Sequence, residues 1–126
     1  MASKKVLVAE DDRFLAKAYR HGLEKAGFDL VIASDGEEAV KKIKSEKPVL
    51  VLLDLVMPNK TGFQVLEEIH VDEEVNKIPI IVLSNLGQDS DVEKAQSLGA
   101  VDYMIKANIT MSDIVAKVKT YLDKAN

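Results

Sequence analysis

Five short runs of apolar residues, at positions 6–9, 30–33, 49–53, 78–83 and 101–105, constrain the fold of this chain more than any other feature. They are rich in Val and Ile, and each has the length of a strand. None alternates with polar residues as a strand with one wet face does. Runs of this kind read as strands covered on both sides, the mark of a parallel sheet between two layers of helices.

The segments between the runs carry helical spacing. In the first, Leu15, Tyr19, Gly22, Leu23 and Ala26 fall on one face, and Gly27 stands where a left-handed helix end is wanted. Ser34 or Asp35 can cap the second helix, with Glu37 and Glu38 near the positive end of its dipole. Thr61 opens the third, which turns Val65, Leu66 and Ile69 inward. Ser90-Asp91-Val92-Glu93 reads as a capping box for the fourth, with Val92, Ala95 and Leu98 inward and Gly99 as its stop. The last helix is predicted over about 110–122 and buries Ile114, Val118, Tyr121 and Leu122. The chain is thus an α/β protein, (βα) repeated five times, a doubly wound sheet with helices on both faces. Residues 1–126 make one domain, loose only at 1–4 and 123–126.

Composition narrows the function. The net charge of -4 removes the electrostatic reason for direct nucleic-acid or anionic-membrane binding. Without cysteine there is no disulfide framework, thiolate metal site or thiol nucleophile, which fits the cytoplasm. No secretory apolar segment opens the chain, and runs 49–53 and 78–83 fall far short of a membrane span.

In doubly wound folds ligands bind at the carboxyl ends of the strands, where strand order reverses. The first run leaves into Glu10-Asp11-Asp12, and the third leaves into Asp54. If these strands are neighbours, three or four carboxylates share one crevice. Crowded like charges raise one another's pKa unless a cation neutralises them. Mg²⁺, with its taste for a few carboxylates, a carbonyl and retained waters, answers that need. Asp54 ends the most apolar segment of the chain, so it is partly desolvated and rigidly held, as suits a nucleophile. Met57, Pro58 and Gly62 follow in what reads as a turn. The fourth and fifth runs deliver Ser84 and Lys106 at the same edge. Taken singly, Asp12 is a helix cap, Glu10 and Asp11 are solvated acids, Ser84 is a turn residue and Lys106 a surface lysine. Together they form the donor and cation set that phosphoryl transfer needs.

With these residues in view, the chain resembles the receiver domain of two-component response regulators over essentially its whole length. The resemblance rests on Glu10-Asp11 in VLVAEDD, Asp54 in LLDLVMPNKTG, Ser84 in IIVLSN, and Tyr103 and Lys106 in DYMIK. It implies a flavodoxin-like five-stranded sheet in order 2-1-3-4-5. It also implies that Asp54 accepts a phosphoryl group from a histidine kinase or phosphotransfer protein. By the same resemblance, Asp11, Asp54 and the backbone carbonyl of Val56 hold Mg²⁺, with Glu10 acting through water. Lys106 and Ser84 bind phosphoryl oxygens, and Ser84 and Tyr103 switch the face of the fourth helix, fifth strand and fifth helix toward an unknown downstream protein. Such a domain is no enzyme beyond its own phosphorylation and dephosphorylation. It is expected as a monomer or a weak phosphorylation-dependent dimer.

Three positions depart from the commonest pattern of that family. Asn85 stands where a small residue is usual and narrows the approach to the phosphoryl group. Ala107 replaces a proline, which puts a cis bond after Lys106 in question. Val56 and Leu86 are apolar where some relatives are polar, so a slowly hydrolysing aspartyl phosphate is expected. His21 and His70 lie in helices away from any strand end, while Phe14 is either a partner contact or an ordinary packing residue.

Two other functions compete. A phosphatase of the haloacid dehalogenase type wants a second aspartate two residues after the first, where this chain has Val56. A degenerate receiver-like scaffold, binding a partner without phosphorylation, is the stronger alternative. No output segment follows the last helix, so the sequence fits either a stand-alone receiver or a piece of a longer protein. Setting Glu10, Asp11, Asp12 and Asp54 aside leaves 17 of the 21 acidic residues against 17 basic ones, so the excess of -4 matches the acidic crevice.

Overall fold

The computed structural model describes residues 4–124. Strands β1 (Lys5–Ala9), β2 (Asp29–Ala33), β3 (Leu50–Leu53), β4 (Ile80–Ser84) and β5 (Asp102–Ile105) alternate with helices α1 (Arg13–Lys25), α2 (Gly36–Glu46), α3 (Gly62–His70), α4 (Asp89–Ser97) and α5 (Met111–Lys124). The sheet is parallel and runs β2-β1-β3-β4-β5, as the resemblance implied.

Period-two alternation sorts the strand residues between two cores. Leu7, Val51, Leu53, Ile80 and Val82 face α2, α3 and α4, where Val40, Ile43, Val65, Leu66, Ile69 and Ala95 meet them. Val6, Val8, Leu50, Leu52, Ile81 and Leu83 face α1 and α5, against Tyr19, Leu23, Ile114, Val118 and Leu122. In β1, β3 and β4 almost every side chain is buried, which is why their sequences are apolar without a break. The edge strands differ: only Ala33 of β2 and Met104 of β5 are fully buried, since each edge has one neighbour and thinner helical cover.

Several boundaries move from those read in the sequence. β4 begins at Ile80 because Pro79 has no N–H to give a ladder. Val101 is exposed, and β5 starts after it. α4 starts earlier than the box at Ser90 and Glu93: Gln88 stands at the capping position, and its N–H donates to Asp91 Oδ2 at 3.3 Å. Of its inward residues only Ala95 is fully buried, with Val92 and Leu98 half-buried, so α4 sits lightly on the sheet. Asp35, not Ser34, caps α2, accepting from Glu38 N at 2.8 Å. Gly27 (φ 99°) and Gly99 (φ 104°) have the left-handed backbone expected past α1 and α4.

The ends expected to be loose are partly ordered. Asp29 N donates to the Lys4 carbonyl, and α5 runs through residues 123 and 124. Residues 1–3 and 125–126 lie outside the described residues.

Candidate functional site

Strand order reverses around β1 and β3, and the acidic residues leave the sheet at that point. Asp54 N donates to the Ala9 carbonyl at 3.1 Å, and Glu10 N to the Ala33 carbonyl at 2.9 Å. Both carboxylates are therefore carried on sheet backbone. Gly62 secures the far side: a Cβ there would lie 2.3 Å from the Asp54 carbonyl oxygen, so only glycine lets α3 start this close. The loop after Asp54 is tied down by Asn59 (φ 69°), whose Nδ2 donates to Asp35 Oδ2 at 2.8 Å. That tie was not read from the sequence, although an Asn in a Pro-Asn turn is the residue that tolerates a left-handed backbone.

Glu10 (3% exposed), Asp54 (7%) and Ser84 (0%) are the buried polar side chains among the described residues, and all three meet here. Ser84 Oγ donates to Asp54 Oδ1 at 2.9 Å, Val56 N to the same oxygen at 3.2 Å, and Lys106 Nζ to Asp54 Oδ2 at 2.8 Å. Lys106 also donates to Glu10 Oε1, while Glu10 Oε2 accepts from Asp12 N at 3.1 Å. Lys106 is thus the reverse of a surface lysine, its side chain 11% exposed between two carboxylates.

Burial raises the Glu10 pKa above its ordinary value, against the opposing pull of Lys106 and the Asp12 amide. Burial works against the Lys106 ammonium too, but hydrogen bonds to Asp54 and Glu10 prevail and hold its pKa above the ordinary value.

Carboxylate oxygens of Glu10, Asp11 and Asp54 lie within 4.8 Å of one another, a spacing that a single hard cation can bridge. Asp12 is not one of them. Its Oδ1 accepts from Phe14 N at 2.9 Å and Leu15 N at 3.1 Å, capping α1. The crevice therefore holds three carboxylates against the ammonium of Lys106, a formal -2 and not the -4 suggested by counting acids.

Around this centre is an open cleft of about 450 Å³, whose lining includes Val56, Asn85 and Leu86. Tyr103 is half-buried, packed against the core on the side of α2, α3 and α4, and its hydroxyl donates to the Leu86 carbonyl. Asn85 Oδ1 accepts from Ala107 N at 3.1 Å. No peptide bond among the described residues is cis, so the Lys106 to Ala107 bond is trans. Phe14 is 88% exposed, which removes the packing reading. His21 and His70 are exposed on helices away from the cleft.

A family model for the response regulator receiver domain matches residues 6–119. The chain belongs to that family. Domains of this family work in two-component signalling and are signalling domains, not classical enzymes. The alkaline phosphatase synthesis transcriptional regulatory protein PhoP of Bacillus subtilis is 34% identical over 98% of this chain and 50% of its own length. A probable transcriptional regulator of Guillardia theta is 36% identical over 98% of this chain and 47% of its own. The chain spans about half the length of these curated relatives. Among solved structures, a Francisella receiver domain superposes with a TM-score of 0.90 at 27% identity, covering 98% of this chain and all of that one. A CheY-like receiver domain protein of Methanospirillum hungatei gives 0.91 at 25% identity, covering 98% of this chain and 96% of that one. Among the described residues no helix is long and apolar enough to cross a membrane.

Proposed function

We propose that this receiver domain is phosphorylated on Asp54 by a histidine kinase or phosphotransfer protein. The reading is carried by one observation: Asp54 is buried at the strand-order reversal, with Ser84 on one carboxylate oxygen and Lys106 on the other. A carboxylate oxygen of Asp54 attacks phosphorus, the P–N bond of the partner's phosphohistidine breaks, and the imidazole leaves with that electron pair. Ser84 and Lys106, the donors on Asp54 before transfer, are placed to follow the charge onto phosphoryl oxygens.

The clustered oxygens of Glu10, Asp11 and Asp54 fit a hard divalent ion. Asp11, Asp54 and the Val56 carbonyl would hold Mg²⁺, with Glu10 acting through water, and the ion would neutralise charge on the phosphoryl oxygens. Asp11, the exposed member, is the most accessible to an incoming ion.

Signalling then passes through Ser84 and Tyr103. Ser84 Oγ also accepts from Leu86 N at 3.4 Å, and the Tyr103 hydroxyl donates to the Leu86 carbonyl, so one loop senses both residues. Withdrawal of Ser84 toward a phosphoryl group loosens that loop, and the lightly seated α4 follows it. The face of α4, β5 and α5 is the output surface for a downstream protein, with direct nucleic-acid contact no part of the reading.

The test is incubation with Mg²⁺ and acetyl phosphate, followed by intact mass. A phosphoryl adduct absent from Asp54→Asn supports the reading. No adduct in the wild type, and no response to beryllofluoride, favours the non-phosphorylated scaffold.

A further inference from the structure

We infer that Asn85 is a positioning residue: its side-chain oxygen caps the turn after β5 and so holds Lys106 on Asp54 and Glu10. The functional consequence rests on the phosphoacceptor reading, whereas the contact itself does not.

Residues Lys106–Asn108 form a single 3₁₀ turn directly after β5. The opening N–H groups of such a turn have no partner within it and look outside for an oxygen. Ile105, at the capping position, has an apolar side chain and makes no capping bond. Asn85, 22 residues earlier and at the end of β4, supplies the oxygen: its Oδ1 accepts from Ala107 N at 3.1 Å.

That N–H belongs to the peptide unit joining Lys106 to Ala107. Holding it fixes the plane from which the Lys106 side chain departs.

Two departures from the family pattern thereby become one device. A proline at 107 would carry no N–H and need no acceptor, whereas Ala107 carries one. A glycine or alanine at 85 would have no side-chain oxygen to offer, whereas Asn85 has one that reaches. The residue type also suits its surroundings. An aspartate would accept equally well, but would add a fourth carboxylate beside Glu10, Asp11 and Asp54, whereas the amide accepts without charge.

The rest of the loop follows the same path. The Tyr103 hydroxyl donates to the Leu86 carbonyl, and a Cβ on Gly87 would lie 3.1 Å from Ile105 Cδ1. Residues 85 and 86 are thus tied to 107 and 103 at two points, and the Asn85 tie is the one next to Lys106.

The experiment compares wild type, Asn85→Ala and Asn85→Asp by NMR, and by acetyl phosphate labelling in Mg²⁺. In Asn85→Ala the Ala107 amide should exchange roughly three- to tenfold faster, the value of one partly solvated hydrogen bond. The Lys106 ammonium resonance should weaken, and the maximal labelling rate should fall several-fold with half-saturation by acetyl phosphate unchanged. Asn85→Asp, which keeps the accepting oxygen, should restore slow exchange and the ammonium resonance. Unchanged Ala107 and Lys106 signals in Asn85→Ala overturn the inference, as do changed signals with an unchanged labelling rate. If both signals respond as stated but the wild type takes no phosphoryl group, the clamp stands and the phosphoacceptor reading fails.

Discussion

The ammonium of Lys106 lies 2.8 Å from Asp54 Oδ2 and donates at the same time to Glu10. One cation therefore serves two buried carboxylates that would otherwise face each other. Removing one member of a buried ion cluster costs more than the pair contributes, because the charges left behind are uncompensated. Lys106→Met is expected to destabilise the Mg²⁺-free protein by about 3 kcal/mol in urea unfolding. Mg²⁺ should restore more stability to the variant than it adds to the wild type, since it replaces a missing charge. Because the Lys106 pKa is raised above 10.5, its contribution is complete below that pH and is lost only as pH climbs through the raised value. An equal Mg²⁺ response in the two proteins would count against this account.

Phe14 presents 88% of its surface to solvent one turn from the acidic loop. An aromatic side chain that exposed contributes little to the folded state, yet can anchor an interface. Phe14→Ala should leave the melting temperature and acetyl phosphate labelling unchanged. Transfer from a histidine-phosphorylated partner should slow by about tenfold, the cost of losing one aromatic anchor. Equal slowing with both phosphodonors would place Phe14 in the chemistry and not in docking.

How much of this was legible beforehand depends on what each residue's neighbours are. The central strands announced themselves because both faces of β1, β3 and β4 are buried, so apolarity and burial coincide. Asp54, Ser84 and Lys106 stood out because polar residues break those runs at one edge. α4 starts before the point its sequence suggests: Ser90-Asp91-Val92-Glu93 has box spacing, but the helix already runs from Asp89, and Asp91 Oδ2 accepts from Gln88 N at 3.3 Å. Pairings across the sheet were invisible. Nothing local links Asn85 to Ala107 or Lys106 to Glu10, which is 96 residues away, since only the folded order of strands brings them together. The charge count misled for the same reason, because Lys106 and the capping role of Asp12 alter the crevice in ways that composition does not carry.

Asp102 offers a pH test away from the cleft. Burial pushes its pKa up, but the Tyr103 amide, Lys117 and Tyr121 outweigh it and hold the carboxyl below 3.8. A depressed carboxylate pKa contributes stability that is present above the unfolded value and lost as pH falls through the folded one. The stability difference between wild type and Asp102→Asn should therefore be constant near neutrality and shrink below pH 3.8. Thermal melts across an acid series measure it, and a gap that widens on acidification would contradict the assignment.

Val56 and Leu86 expose 59% and 36% of their surfaces beside the phosphoacceptor cleft. Neither can orient or deprotonate a water, and a positioned group able to do so contributes about 10²–10⁴-fold. The aspartyl phosphate should accordingly be long-lived, its loss followed by intact mass after the phosphodonor is removed. Val56→Glu places a carboxylate at the rim without touching Asp54, Ser84 or Lys106. It should shorten the half-life by about tenfold or more, less than an ideally placed base because the position is exposed. Leu86→Ala, which opens space but adds no base, should change it far less. If the two substitutions accelerate loss equally, access of water governs the lifetime, and the chemistry of the flanking side chains does not.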